Sequence, residues 1–325
     1  YSGMADIARL TGDDSLLAAC DTLWDNIANK KMYITGGIGS TNHGEAFTYA
    51  YDLPNDMAYA ETCASIGLVF FARRMLQIKP EARYANVMER ALFNGVLSGM
   101  ALDGKSFFYV NPLEVLPEAC RRDERKFHVK SIRQKWFGCA CCPPNIARLV
   151  SSIASYACTE NNDTLFVHLY MGCELKKKVG GKEVSVRITS GFPYEGKVTL
   201  TVDCDTPTEM TLALRLPDWA KECVVNGVST TNEALCGGEA SPVLEAIKKT
   251  AGISCAKVSD GYLYLSGTWS GSSEIKLDFP MSVRIMAANP SVREDAGKVA
   301  VTCGPMVFWL EEAVNGSDLH LLRLD

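Results

Sequence analysis

Residues 143–170, PPNIARLVSSIASYACTENNDTLFVHLY, decide the fold, because the hydrophobic period changes inside them. The first half, NIARLVSSIASYA, carries the spacing of an amphipathic helix. Pro143 suits its first turn, where a proline gives up no intrahelical hydrogen bond. After Asn161 the period shortens to that of a strand. Upstream the pattern stays helical. Met4 to Leu10 continue an apolar stripe, Asp13 or Asp14 can cap a second helix, and Leu16, Leu17, Cys20, Leu23, Trp24 and Ile27 recur at helical spacing. The glycine-rich loop 36–44 leads to a helix from near Cys63 (IGLVFFARRMLQI), and another follows Pro80 (ARYANVMERALFNGVLSGM). Downstream, segments 165–170, 183–189, 197–202, 210–216, 262–266, 274–279 and 298–303 are short, β-branched or alternating, and Gly, Pro and Asp turns separate them. The expectation is an α + β multidomain chain, helical over 1–160 and an antiparallel β-sandwich over 161–325. An insertion at 229–260 holds one short helix.

At 325 residues, with 47% hydrophobic side chains, the chain can bury two sizeable cores, which excludes a mostly disordered protein. A net charge of −5 with scattered lysines and arginines leaves no footprint for nucleic acid. No apolar run reaches the roughly 18 residues of a membrane span. The 13 cysteines are odd in number and irregularly spaced, which fits reduced thiols rather than a disulfide framework. A cytoplasmic location is expected; a periplasmic one stays open, because the sequence starts at Tyr1 rather than Met.

Residues 136–145, WFGCACCPPN, put three cysteines within four positions. Adjacent thiols such as Cys141 and Cys142 close only a strained disulfide ring, yet as thiolates both reach one soft cation such as zinc. Glu61 and Cys63, in YAETCASIG, add a carboxylate and a thiol two residues apart, a spacing that turns both donors to one side of an irregular or extended segment. One oxygen and three sulfurs suffice for tetrahedral zinc.

GGIGSTNHGEAF, YAETCASIG, WFGCACCPPN, LRLPDWA, GYLYLSGTW and CGPMVF, in that order, resemble the β-L-arabinofuranosidases of glycoside hydrolase family 127. The resemblance implies part of an (α/α)6 catalytic barrel followed by β-sandwich, an active-site zinc and a retaining mechanism. It implies Glu61, Cys63, Cys141 and Cys142 as zinc ligands, Cys141 also as nucleophile, and Glu45 of HGEAF as general acid/base. The substrate would be a terminal β-L-arabinofuranosyl residue of an oligosaccharide or glycoconjugate, of the kind found on plant hydroxyproline-rich glycoproteins. A full barrel takes twelve helices and about five are legible, so the chain reads as a fragment lacking the N-terminal part of the barrel. A half-barrel exposes apolar helix faces, which implies a homodimer or association with the missing half.

Each residue also has a plainer reading. Four closed protein ligands usually mark a structural zinc. A non-catalytic carbohydrate-binding or assembly module is therefore the alternative function, and a thiol redox protein ranks below it, for lack of a CxxC beside a βαβ pattern. Cys139 reads as a buried packing residue or a substitute ligand, and Cys20, Cys158, Cys204 and Cys303 as core. His43 could contact a sugar hydroxyl, orient Glu45 or lie free on the surface. Tyr49, Tyr51 and Tyr59 could line a sugar pocket or pack helices. His128 and His168 take no role.

Overall fold

Asp13 starts the first long helix: its Oδ1 accepts hydrogen bonds from the Ser15 and Leu16 amides at 2.9 and 3.1 Å, satisfying donors that a helix start leaves open. The computed structural model describes residues 1–139, 141–235 and 241–324. Its helices are α1 (Ser2–Thr11), α2 (Asp14–Lys30), α3 (Thr62–Ile78), α4 (Ala82–Arg90), α5 (Pro117–Arg122), α6 (Cys142–Ser151), α7 (Ala154–Ala157), α8 (Asn232–Leu235), α9 (Pro242–Ala251) and α10 (Glu312–Asn315). In the helical part, Trp24, Phe71, Met75, Tyr84, Met88 and Leu149 form one buried cluster that joins α2, α3, α4 and α6. No helix among the described residues is long and apolar enough to cross a membrane.

Two helices differ from the sequence expectation. The stretch 145–157 is not one helix: α6 starts at Cys142 and stops at Ser151, and α7 follows after a break. The Ser151 and Ser152 hydroxyls both donate to the Arg148 carbonyl, at 3.1 and 2.8 Å, so they compete for an acceptor that the helix would use. The other helix, α4, runs on into a π-helical turn, Ala91–Val96, and a 3₁₀ turn, Leu97–Gly99. Gly36 lies directly over that π turn. A Cβ there would meet Ala91 Cα at 2.5 Å, so the loop can approach only as glycine.

The strands are β1 (Cys158–Asn161), β2 (Thr164–Val167), β3 (Cys173–Val179), β4 (Lys182–Ser190), β5 (Lys197–Arg215), β6 (Glu222–Val225), β7 (Val228–Thr231), β8 (Cys255–Ser259), β9 (Tyr262–Asp278), β10 (Val283–Ala287), β11 (Val299–Cys303) and β12 (Met306–Phe308). Strands β1 to β9 form one large sheet and β10 to β12 a small antiparallel one. The segments 197–202 and 210–216 fuse into β5, and 262–266 and 274–279 into β9. These two strands pair along their length, with a bulge between Cys204 and Thr208 that absorbs Pro207. Strand β4 pairs with β5 before the bulge and β2 after it. Both halves feed one apolar core, with Val186, Leu200 and Ile275 on one side and Val167, Leu212 and Leu265 on the other. The sheet is not wholly antiparallel, as expected from sequence: β2 and β5 run parallel, because the β3–β4 hairpin lies between them in the chain and allows a crossover. In the 229–260 insertion, 236–240 lie outside the described residues, and α8 and α9 flank them.

A buried polar knot joins the helices to the sheets. Arg215, at the end of β5 and in LRLPDWA, pairs with Glu89 of α4. Its Nη1 donates to Asn86 Oδ1 at 2.7 Å, and its Nε to the His168 carbonyl at 2.5 Å. Trp219 Nε1 donates to the other Glu89 oxygen at 2.9 Å. His168 is fully buried with both ring nitrogens engaged, by Thr159 Oγ1 and Tyr262 Oη at 2.7 Å each; burial, aided by Arg215, lowers its pKa to about 3, so it stays neutral. Asn94, inside the π turn, ties in the small sheet: it donates to the Pro305 carbonyl at 2.9 Å and accepts from the Val307 amide at 2.8 Å. LRLPDWA and CGPMVF thus hold the chain's parts together.

Candidate functional site

The N-termini of α3 and α6 meet, and four metal-type donors sit where they meet. Glu61 is the N-cap of α3 and Cys63 lies in its first turn; Cys141 is the N-cap of α6 and Cys142 its first residue. The Glu61–Cys63 pair does not converge by a strand period, as the sequence spacing suggested. Glu61 is extended and bridges to Val110, while Cys63 is already helical. Opposite this helix start, the Thr62 amide donates to the Tyr109 carbonyl at 2.9 Å, and the Asn111 side chain donates to the Ala60 carbonyl at 3.1 Å and to Thr62 Oγ1 at 3.0 Å. These bonds hold Ala60 in the left-handed region, at φ 36°, a strained conformation for a residue with a Cβ.

The donor atoms of Glu61, Cys63, Cys141 and Cys142 all lie within 4.8 Å of one another. Cys63 Sγ is 3.6 Å and Cys141 Sγ 3.9 Å from Cys142 Sγ, and Cys141 Sγ is 3.2 Å from Glu61 Oε1. These sulfur separations are far beyond a disulfide bond and match the edge of about 3.8 Å expected for a tetrahedron with metal–sulfur bonds of about 2.3 Å. The group could hold a metal ion.

The electrostatics favour a negative sulfur at Cys63 and neutral thiols at Cys141 and Cys142. The cluster sits at the N-terminal, positive dipole ends of α3 and α6. A hydrogen bond from Cys142 lowers the Cys63 pKa to about 7, and the Asn145 amide adds to the shift against the opposing effect of burial. Burial pushes Cys141 up to about 12, and the bond to Cys63 together with burial raises Cys142 further. Of the three sulfurs Cys63 is thus the most readily ionised, and a bound cation would bring all three to thiolate.

Glu45, at the end of the glycine-rich loop, is exposed and at φ 49°, and is linked to the cluster through two tyrosines. Tyr59 Oη donates to Glu45 Oε1 at 2.7 Å. The Tyr59 and Tyr109 rings meet edge-on at 6.1 Å, and Tyr109 Oη is 3.0 Å from Cys141 Sγ. Burial comes first in raising both phenols well above their usual range, so they remain protonated donors. Two tyrosines thus span the space between Glu45 and Cys141.

The remaining candidates separate clearly. His43 is exposed, and its imidazole has no hydrogen bond to the described residues. His128, given no role, borders the site: its Nδ1 is 3.3 Å from Asn42 Nδ2 and its ring 6.0 Å from that of Tyr59. Tyr51 packs on a separate cluster with Leu53 and Ala58, and Tyr49 is 75% exposed. Cys139 is exposed, not a buried packing residue, because it precedes α6 in irregular chain. Cys20, Cys158 and Cys204 are buried, while Cys303, on the small sheet, is only half-buried. Sequence reasoning missed Tyr109, Asn111, Asn145 and Arg148. Asn145 stood inside the quoted CCPPN, whereas Tyr109 and Asn111, in FFYVNP, carry no spacing that marks them.

The beta-L-arabinofuranosidase GH127 catalytic-domain model matches residues 2–155, the GH127 middle-domain model 164–281 and the glycoside hydrolase family 127 C-terminal-domain model 283–325. A curated relative from Bifidobacterium longum subsp. longum, named non-reducing end beta-L-arabinofuranosidase, is 40% identical over 331 residues, which cover 99% of this chain and 46% of the relative. A solved GH127 beta-L-arabinofuranosidase from Geobacillus stearothermophilus T6 superposes with a TM-score of 0.87 at 48% identity, over 98% of this chain and 47% of that one. A solved GH127 beta-arabinofuranosidase gives 0.79 at 37% identity, over 94% and 46%. The chain spans about half the length of the curated relative it matches. With the three domain patterns following one another in order along its length, the chain belongs to glycoside hydrolase family 127.

Proposed function

We propose that this chain carries the zinc–thiolate and acid/base groups of a retaining glycoside hydrolase that removes terminal β-L-arabinofuranosyl residues. The observation that carries the reading is the convergence of Glu61, Cys63, Cys141 and Cys142 within 4.8 Å. Three sulfurs with one carboxylate oxygen suit zinc, whereas magnesium and calcium take oxygen donors. A bound zinc ion would keep the cysteines deprotonated at neutral pH. We assign the helices of residues 1–160 to the C-terminal part of an (α/α)6 barrel and residues 161–325 to the β-sandwich region; the names of the relatives support the sugar.

The reaction follows from the residues' own chemistry. Cys141 is half-buried, while Cys142 is fully buried, so Cys141 can meet a sugar. Its sulfur attacks the anomeric carbon, the glycosidic bond breaks, and the leaving oxygen takes the proton of the Glu45 carboxyl. The Glu45 carboxylate then takes a proton from water, whose oxygen displaces sulfur from the same carbon. Two inversions retain configuration, Cys141 returns as thiolate and Glu45 as acid. Tyr59 fixes the Glu45 carboxylate through its 2.7 Å bond. His43, two residues before Glu45 in the loop, is the candidate for a sugar hydroxyl.

Replacing Glu45 with Gln tests the assignment. Turnover of an alkyl β-L-arabinofuranoside, whose leaving group needs a proton, is expected to fall ~10²–10⁴-fold. The p-nitrophenyl glycoside, with a good leaving group, should lose less in the first step, and added azide should restore turnover as an arabinosyl azide. Unchanged hydrolysis of the alkyl glycoside would remove Glu45 from the mechanism.

A further inference from the structure

Asn145 lies one turn into α6, with its side chain turned back toward Cys63 of α3. Its Nδ2 is 3.1 Å from Cys63 Sγ, and its Oδ1 accepts a 2.7 Å hydrogen bond from Arg148 Nη2. The second bond decides the orientation of the first. A guanidinium only donates, so the amide atom facing Arg148 is the oxygen, and the nitrogen faces sulfur. An amide N–H toward sulfur requires sulfur to accept. Arg148 is fixed in turn: its guanidinium sits over the Phe70 ring, 4.6 Å from the centroid, and Phe70 is two helical turns beyond Cys63 on α3. Phe70, Arg148, Asn145 and Cys63 therefore close a loop between the two helices whose N-termini carry the donors.

We propose that Asn145, oriented by Arg148, is a positioning residue that holds Cys63 as a permanent metal ligand and so distinguishes it from Cys141. The three cysteines are not equivalent. The neighbours of Cys63 are the Asn145 amide and Cys142 Sγ, which fix it against α6. Cys141 also lies near Cys142 Sγ, at 3.9 Å, but its polar neighbours are Tyr109 Oη and Glu61 Oε1, on the side that leads through Tyr59 to Glu45. A donor outside the ligand set that orients a ligand atom preorganises the site, so that less conformational freedom is lost when the cation binds. Among the described residues, no amide side chain is hydrogen-bonded to Cys141 or Cys142. The inference rests on the metal reading proposed above.

Metal affinity tests it without reference to turnover. The full chain and two variants, Asn145→Leu and Arg148→Met, are stripped of metal under reducing conditions and titrated with zinc against a chromophoric chelator. Cobalt(II) is titrated in parallel to read the thiolate-to-cobalt charge-transfer band. Asn145→Leu removes the donor at similar volume, and Arg148→Met keeps a stem on Phe70 but removes the group that orients the amide. Zinc affinity is expected to fall ~10–100-fold in Asn145→Leu, the range for loss of a group that orients a metal ligand, and by less, ~3–10-fold, in Arg148→Met, which keeps the amide itself. The cobalt band should shift in both. Both variants within twofold of the wild-type affinity, with the band unmoved, would overturn the inference while leaving the metal site standing. If Asn145→Leu fails to fold, the exposed Arg148→Met decides by the same threshold. A folded, reduced wild-type chain that binds neither zinc nor cobalt would overturn the metal reading and this inference with it.

Discussion

Replacing Cys141 with serine is expected to cut hydrolysis by ~10³-fold or more while zinc stays bound, since removing a covalent nucleophile costs a catalytic site most of its rate. Glu61, Cys63 and Cys142 remain, and three protein ligands hold zinc in many catalytic sites. Serine occupies nearly the same volume, so the N-terminus of α6 keeps its Pro143–Pro144 turn and the fully buried Cys142 its packing. The hydroxyl is a much weaker nucleophile than a thiolate and a poorer ligand for zinc. The same variant separates the two readings of the site. Lost turnover with zinc retained, measured by hydrolysis and elemental analysis on one preparation, identifies Cys141 as the nucleophile. Loss of zinc and of the folded state together would mean a structural metal, as in a binding or assembly module.

Replacing Arg215 with methionine should destabilise the chain by about 3–5 kcal/mol, the usual cost of removing one partner of a buried ion pair. Arg215 is fully buried and Glu89 nearly so, and the substitution would leave that carboxylate with Trp219 Nε1 as its remaining donor. The His168 carbonyl and Asn86 Oδ1 would lose their donors as well. At roughly 2–4 °C per kcal/mol for domains of moderate size, the melting temperature should drop by about 6–20 °C. The double variant with Glu89→Gln should recover part of the loss, because the buried charge is gone. A melting temperature within 2 °C of wild type would show that the knot contributes nothing to cohesion.

Much of this was legible in the sequence, for identifiable reasons. Asp13 announced α2 because a cap acts within three residues of itself. The helix from Cys63 was legible because its apolar positions repeat. WFGCACCPPN and ETC pointed to each other because soft donors in excess of any disulfide scheme call for a cation. The joining of paired segments into β5 and β9 was not legible, because the bulge at Pro207 looks like a turn until the partner strand carries the register across it. The parallel β2–β5 contact was hidden for a related reason: pairing direction is set by the crossover and not by the strands' own pattern. The roles of Arg215 and Asn94 depend on contacts more than a hundred residues away in the chain, to Glu89 and Pro305 respectively, and no local spacing encodes such partners. Within the site, Glu61, Cys63, Cys141 and Cys142 came together as the motifs suggested, whereas Tyr109 and Arg148 entered only through the fold.

The most direct test of the account is the zinc content of the purified, reduced chain, measured by elemental analysis beside a variant in which Cys63 and Cys142 are both serine. The account predicts one zinc per wild-type chain and none in the variant, because two of the four converging donors are then gone. Zinc-free wild-type protein that is folded and reduced would contradict it, as would a double variant that keeps its full complement of metal.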